Sequence, residues 1–187
     1  MKTRFFGFLC TALFTVGILL GASSMAAAHG MTYWEATLVV ADGQNQLEPG
    51  KATLSDARNA ILRAGLADDC QVEEFTGDGM RFVTYDLNGA EHFIFRAVTG
   101  ARDTHDAGAL TIRSYDVMGK SVRTLGGLHV GKSYESLEEM YGEPSFTDVS
   151  EDGLTAYTYA FDEKAATLTF DVDDAGIIQA IHFRTEI

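Results

Sequence analysis

The chain is 187 residues long and carries 27 acidic against 14 basic side chains, a formal net charge of −13. A field of that sign excludes nucleic acid and anionic lipid surfaces as partners on bulk electrostatics. Hydrophobic residues make up 46% of the chain, enough to bury one sizeable core without covalent staples.

The first elements in chain order are those of a secretory signal. Lys2 and Arg4 precede an apolar run from Phe5 to Leu20, and small residues end in Ala26-Ala27-Ala28 before His29. A basic stretch, a short apolar stretch and an A-x-A site predict cleavage after Ala28, and the run is too interrupted for a permanent anchor. Cys10 lacks the flanking residues of a lipoprotein signal, so the expected product is soluble and either periplasmic or secreted. Losing Lys2 and Arg4 moves the net charge from −13 to −15. The mature chain keeps one cysteine, Cys70, which rules out an internal disulfide. It reads as a small buried residue, with an intermolecular disulfide or reactive thiol as the rival.

Beyond the signal, Thr32 to Val40, with the only tryptophan at Trp34, reads as a strand or a helical turn and is not placed further. Thr53 and Asp56 have capping-box spacing, Leu54, Ala57, Ile61 and Leu62 recur at a helical period, and Gly65 ends the pattern. The period then becomes two over Phe82–Leu87, Glu91–Val98 and Ala109–Val117. A second, shorter helix follows, with Ser136 and Glu139 at its start, Leu137, Met140 and Tyr141 on its apolar face and Gly142-Glu-Pro144 at its end. Three further strands span Thr155–Phe161, Thr167–Val172 and Ile177–Arg184. Asn88-Gly89 and Asp174-Ala-Gly176 supply turns too short for parallel crossovers, so the strands form antiparallel meanders.

The order of these elements is duplicated. Asp78-Gly79 leads through Tyr85 and Leu87 to Phe93-Ile-Phe95, as Asp152-Gly153 leads through Tyr159 and Phe161 to Leu168-Thr-Phe170, and Gly50-Lys51 and Gly131-Lys132 precede the two helices. The expected fold is therefore α+β: two tandem repeats of a short helix followed by an antiparallel three- to four-stranded meander, packed as one domain over 29–187. The repeats cover about 46–118 and 125–187, and their strands form either one curved sheet or two adjoining ones.

Gly127-Leu-His-Val-Gly131-Lys-Ser133, with Leu137 and Tyr141-Gly142-Glu-Pro144, resembles the signature of small envelope proteins related to BamE/SmpA. Those, and the tandem-repeat beta-lactamase inhibitory protein (BLIP), share a helix-then-strands unit of this length. The resemblance covers roughly residues 46 to 187 and is clearest in the second half, since the first has Ala64-Gly65-Leu66 where a Gly-x-Pro belongs. It implies a protein-binding module of the envelope and names no partner.

No enzyme signature survives inspection. Gly126 to Ser133 matches a phosphate-binding P-loop literally. An exported product has no ATP supply, however, and no parallel sheet surrounds the motif, so a turn feeding a helix is the better reading. Asp171-Val-Asp173-Asp174-Ala-Gly176 begins like a calcium loop, but Ala175 and His182 occupy ligand positions, which leaves a hairpin turn. His29 as a new N-terminus could chelate copper but lacks a second ligand set among His92, His105, His129 and His182. Asp68-Asp69 and Glu73-Glu74 read as a solvated loop face. No metal, no cofactor and no catalytic residue is assigned.

Strand phase gives the one candidate site. If Val83, Tyr85, Leu87, Tyr157, Tyr159 and Phe161 face the helices, the opposite face carries Phe82, Thr84, His92, Ile94, Arg96, Thr158, Thr169, His182 and Arg184, joined by Arg113 and Tyr115. Its only acids are Asp86 and Asp171, a local exception in so acidic a chain. Phe82, His92, Arg96, Arg113, Tyr115, His182 and Arg184 are the predicted partner-binding residues, against the plainer reading of an ordinary solvated sheet face. The expected function is an exported, non-catalytic protein-binding or inhibitory module of the cell envelope, whose partner is another envelope or secreted protein. A secreted small-ligand or metal-binding protein is the alternative.

Overall fold

The computed structural model describes residues 31–41, 43–150, 152–161 and 164–185. The expected signal segment and His29 lie outside the described residues. The unplaced N-terminal stretch resolves into a 3-10 turn, Tyr33–Ala36, and a strand, β1 (Leu38–Val40). β1 pairs antiparallel with β2 (Gln46–Leu47) and β7 (Val122–Thr124), giving a three-stranded sheet of order β2-β1-β7.

The remaining strands are β3 (Asp69–Gly77), β4 (Met80–Asn88), β5 (Phe93–Gly100), β6 (Ser114–Val117), β8 (Phe146–Val149), β9 (Thr155–Ala160), β10 (Ala166–Val172) and β11 (Ile178–Thr185). They form a single antiparallel sheet of order β3-β4-β5-β6-β11-β10-β9-β8. Among the described residues the α-helices are α1 (Leu54–Arg63) and α2 (Tyr134–Tyr141), ten and eight residues long. The α+β class with tandem helix-and-meander units is therefore overturned: the architecture is predominantly β, an eight-stranded antiparallel sheet with a three-stranded one beside it. The expectation failed because Asp69–Gly77, Phe146–Val149, Val122–Thr124 and Gln46–Leu47 are strands that carry no clean apolar alternation. Ala109–Val117, conversely, shrinks to the four residues of β6 behind a 3-10 turn at Ala107–Ala109.

Local chemistry explains several boundaries. Asp56 accepts from the Thr53 amide (2.8 Å) while Thr53 Oγ1 accepts from the Asp56 amide (3.1 Å), so orphan N–H groups at the start of α1 are satisfied reciprocally. Gly65, at φ +67°, follows its end. The cap expected at Ser136 moves instead to Ser133, whose hydroxyl lies 3.3 Å from that of Ser136. Asp78 and Gly79, both left-handed (φ 52° and 76°), join β3 to β4 in a two-residue turn whose twist suits a hairpin.

One face of the large sheet is apolar and covered. Phe93, Phe95, Tyr115, Phe170 and Phe183 are all fully buried there, with Leu54, Ala57 and Ile61 of α1, Leu38 and Val40 of β1 and Leu137 of α2 in the same cluster. Tyr115 and Phe183 stack with ring centroids 5.3 Å apart, and this contact closes the seam between β6 and β11. The other face of the sheet holds the candidate site.

Candidate functional site

In β4 the buried residues are Val83, Tyr85 and Leu87, so Phe82, Thr84 and Asp86 point to the open face. Register carries that phase across the sheet: Asp86 lies opposite Ile94, Ile94 opposite Asp116, Asp116 opposite His182, His182 opposite Thr169, and Thr169 opposite Thr158. Arg96 and Arg184 flank this row on β5 and β11.

Asp116 is the centre of the arrangement. Its side chain is 7% exposed and takes three cations: Arg96 Nη1 at 2.5 Å, His182 Nδ1 at 2.7 Å, and Arg184 Nη2. Burial works against its charge, but the hydrogen bonds from His182, Arg96 and Arg184 outweigh it and hold the carboxyl well below the usual carboxylate range. His182 also donates from Nε2 to Asp171 at 2.9 Å. Burial disfavours the imidazolium, yet its bonds to Asp116 and Asp171 prevail and push its pKa up to about 9. At neutral pH the ring is charged with both nitrogens engaged. Three cations against two carboxylates leave this cluster one unit positive.

Beside the cluster lies a groove of about 350 Å³. Phe75 and Phe82, stacked 4.6 Å apart at 10°, form one wall, Thr84, Val98 and Ser114 lie along it, and Arg96, Arg113 and Arg184 complete its lining. Arg113 also borders a second hollow with Tyr33, Glu48, Lys51 and Lys164. The Lys164 ammonium sits 3.6 Å from the Tyr33 ring centre, and Lys51 is held by Glu48 at 2.8 Å. Arg113 has no ion pair among the described residues.

Of the predicted residues, Phe82, Arg96, Arg113 and Arg184 come together in the groove, and His182 sits behind it, bound to Asp116. His92 stands apart near the β4–β5 turn, bound to Asp86 at 2.9 Å. Tyr115 is a correction: it is fully buried on the opposite face, and its hydroxyl donates to the Ala36 carbonyl at 2.6 Å. The cause is an extra residue at the start of β6. Arg96 is opposite Ser114, yet the Arg113 amide also donates to the Arg96 carbonyl, so two residues face one and the phase reverses. That reversal puts Asp116, which the alternation hides, on the open face. Phe75 was missed because Glu73-Glu74 reads as loop, whereas both lie within β3.

The other motifs are accounted for by hydrogen bonding. In the P-loop-like stretch the Gly131 amide donates to Ile178 O (2.8 Å), Lys132 to His129 O (3.1 Å) and Tyr134 to Gly176 O (2.8 Å), so these N–H groups are not turned toward a phosphate. The calcium-like stretch is the hairpin between β10 and β11, where Asp173 Oδ1 accepts from the amides of Ala175 and Ile177. Among the described residues no group of three or more His, Cys, Asp or Glu side chains is arranged to hold a metal, and no helix is long and apolar enough to cross a membrane.

No family model matches the chain, and no curated protein matches it. Three solved structures are similar to it at low identity. A DUF4309 family protein (YjgB) from Bacillus subtilis is 18% identical with a TM-score of 0.41, covering 75% of this chain and 82% of its own. An extracellular protein containing a SCP domain from Bacillus anthracis is 11% identical with a TM-score of 0.36, covering 70% and 43%. A cysteine-rich secretory protein from Staphylococcus aureus is 15% identical with a TM-score of 0.38, covering 74% and 46%. The chain thus spans less than half the length of the last two. None of the three is described as a BamE/SmpA or beta-lactamase inhibitory protein.

Proposed function

We propose that this chain is an exported, non-catalytic binding module whose open sheet face grips an acidic segment of another envelope or secreted protein. The observation that carries the reading is the groove in which the stacked Phe75–Phe82 pair meets Arg96, Arg113 and Arg184. An apolar wall beside several guanidinium groups suits a partner that presents carboxylates next to apolar side chains, because arginine pairs bidentately with carboxylate and aromatic rings supply contact area at small entropic cost. In a chain of net charge −13 such a patch also gives orientation, steering an acidic partner to this face and away from the rest of the surface. The non-catalytic part follows from the sequence, which offers no catalytic motif, and His182 is in keeping with it. With both ring nitrogens committed to carboxylates it has no free nitrogen with which to take a proton.

Arg113 is the residue to test, because Arg96 and Arg184 also neutralise Asp116 and their removal perturbs the fold. A synthetic peptide alternating Glu and Phe is titrated into the labelled protein and followed by NMR. Shift changes are expected at Phe75, Phe82, Thr84, Val98 and Ser114, with Arg113→Glu weakening binding about tenfold or more. Equal binding of the peptide in which Lys replaces Glu, or an Arg113→Glu protein that binds as well as the wild type, sinks the reading.

A further inference from the structure

The large sheet ends on β3, a nine-residue strand whose outer side has no strand beside it among the described residues. Which of its backbone groups face outward follows from the hairpin. Gly77 and Met80 close the two-residue turn and so form a hydrogen-bonded pair, after which bonded and non-bonded pairs alternate down the ladder. Asp69, Gln71, Glu73, Phe75 and Gly77 therefore bond to β4. The N–H and C=O groups of Cys70, Val72, Glu74 and Thr76 point away from the sheet.

Exposed edges are ordinarily blunted by charged side chains, lysine above all, by proline, by a bulge or by shortness. The opposite edge, β8, is only four residues long. β3 has only acidic side chains in that role: its nine pairs with β4 run in unbroken register, and its sequence holds no lysine, arginine or proline. It also presents Val72 and Phe75, 52% and 63% exposed, one on each side of the strand. Its charges are all negative. Glu74 is taken by Arg81 (2.6 Å), whereas Glu73, on the groove side next to Phe75, has no ion pair among the described residues. A second copy of β3 laid on this edge would bring Asp69, Glu73 and Glu74 against their equivalents, and like charges across paired strands are destabilising.

We propose that the outer edge of β3 is a strand-addition site for an extended, lysine- or arginine-bearing segment of a partner protein. The outward groups of Val72, Glu74 and Thr76 supply the backbone ladder. Side chains of the added strand stand opposite those of β3, so a basic residue pairs with Glu73, an apolar one two positions away packs on Phe75, and an apolar one on the other side of the strand meets Val72. This inference does not rest on the groove reading, since the groove takes carboxylates and the edge takes cations.

The probe is a short capped peptide with Lys and Phe taking turns at the odd positions and Val at every even one, so that one face offers Lys to Glu73 and Phe to Phe75 and the other offers Val to Val72; it is used at millimolar concentration, with amide hydrogen exchange of the labelled protein as readout. Exchange at Val72, Glu74 and Thr76 is expected to slow about tenfold or more on binding, as for any amide newly bonded in a ladder. Gln71, Glu73 and Phe75, already bonded to β4, change little. Val72→Pro removes one outward N–H and leaves the β4 ladder intact, so it abolishes the protection while the Tyr115 and Phe183 signals stay native. Should that variant fail to fold, Glu73→Lys serves instead: it transfers the preference to the matching Glu peptide. Arg113→Glu leaves edge binding unchanged and separates this result from the groove's. The proposal is overturned by unslowed exchange at these three amides, by equal protection from the Glu peptide in the wild type, or by protection that rises with protein concentration in the absence of peptide.

Discussion

On its covered face the seam between β6 and β11 is closed by the Tyr115–Phe183 stack; on its open face, one residue along each strand, it is closed by Asp116 with His182 and Arg184. The same two short strands thus rely on apolar packing on one side and on charge on the other. Truncating a buried ring leaves a cavity into which neighbours can partly relax. Removing the one carboxylate that three cations share leaves like charges facing one another in a partly desolvated place. Asp116→Ala is accordingly expected to cost about 3–5 kcal/mol, a large share of a typical domain's total stability. Phe183→Ala is expected to cost about as much through its cavity. Urea titration separates the two mechanisms. Adding Arg184→Ala to Asp116→Ala recovers part of the loss, because a stranded cation is removed, whereas adding it to Phe183→Ala makes matters worse. An Asp116→Ala cost below about 1 kcal/mol would break the contrast and leave Arg96 and Arg184 as ligand-facing groups only.

Why sequence reading reached the open face but misjudged this seam is instructive. Period-two alternation is enforced wherever one side of a strand is buried, so Phe82, Arg96, His182 and Arg184 were placed on the open face from β4, β5 and β11 alone. β6 defeats the same rule. Its extra residue at Arg113 and Ser114 leaves no compositional mark, and one reversed phase exchanges Tyr115 for Asp116, the residue on which the whole charge cluster depends. β3 was invisible for another reason. Its partners on one side are β4 and on the other solvent, so Glu73 and Glu74 cost little there, and the acidic run that reads as loop is an edge strand. The predominantly β architecture escaped because β1, β2 and β7, three residues or fewer each, are too short to show any period. By contrast Asp78-Gly79 and Asp152-Gly153 were informative: the strings they lead run through β4 and β9, each second from its edge of the sheet, into β5 and β10.

The next effect sharpens the comparison through pH, since only the charged face of the seam titrates. The folded pKa of His182, about 9, lies above its ordinary 6.5, so the imidazolium is favoured by folding. Its contribution is fully present below about 6.5 and is lost as pH rises through about 9. The upper bound on that loss is about 3 kcal/mol, the shift converted at 1.36 kcal/mol per unit. Asp116 has the opposite sign: held low in the fold, it stabilises above the ordinary carboxylate range and loses that contribution only in strong acid. Urea midpoints measured between pH 6 and pH 10 are expected to fall for the wild type and to flatten for His182→Gln. A variant that falls as steeply as the wild type would mean that another group governs the alkaline limb.

The smallest expected effect probes the covered face by one atom. Tyr115 reaches past its stack with Phe183 to donate to the Ala36 carbonyl at 2.6 Å, across 79 residues of sequence. Burial raises its hydroxyl pKa well above the ordinary value, which favours the neutral donor form. The bond ties the N-terminal 3-10 turn, and with it Leu38 and Val40 of β1, to the middle of the large sheet. Tyr115→Phe keeps the ring and its stacking but strands a buried carbonyl, a loss of about 1–2 kcal/mol. That is smaller than the cost of Phe183→Ala because no cavity opens. Its signature is local as well as global: amides of residues 37 to 40 should exchange faster than those of β10 in the same protein, since β1 loses its tether while the sheet keeps its rings. Uniform acceleration in both places would instead make the hydroxyl part of the sheet's own stability and erase the distinction between tether and stack.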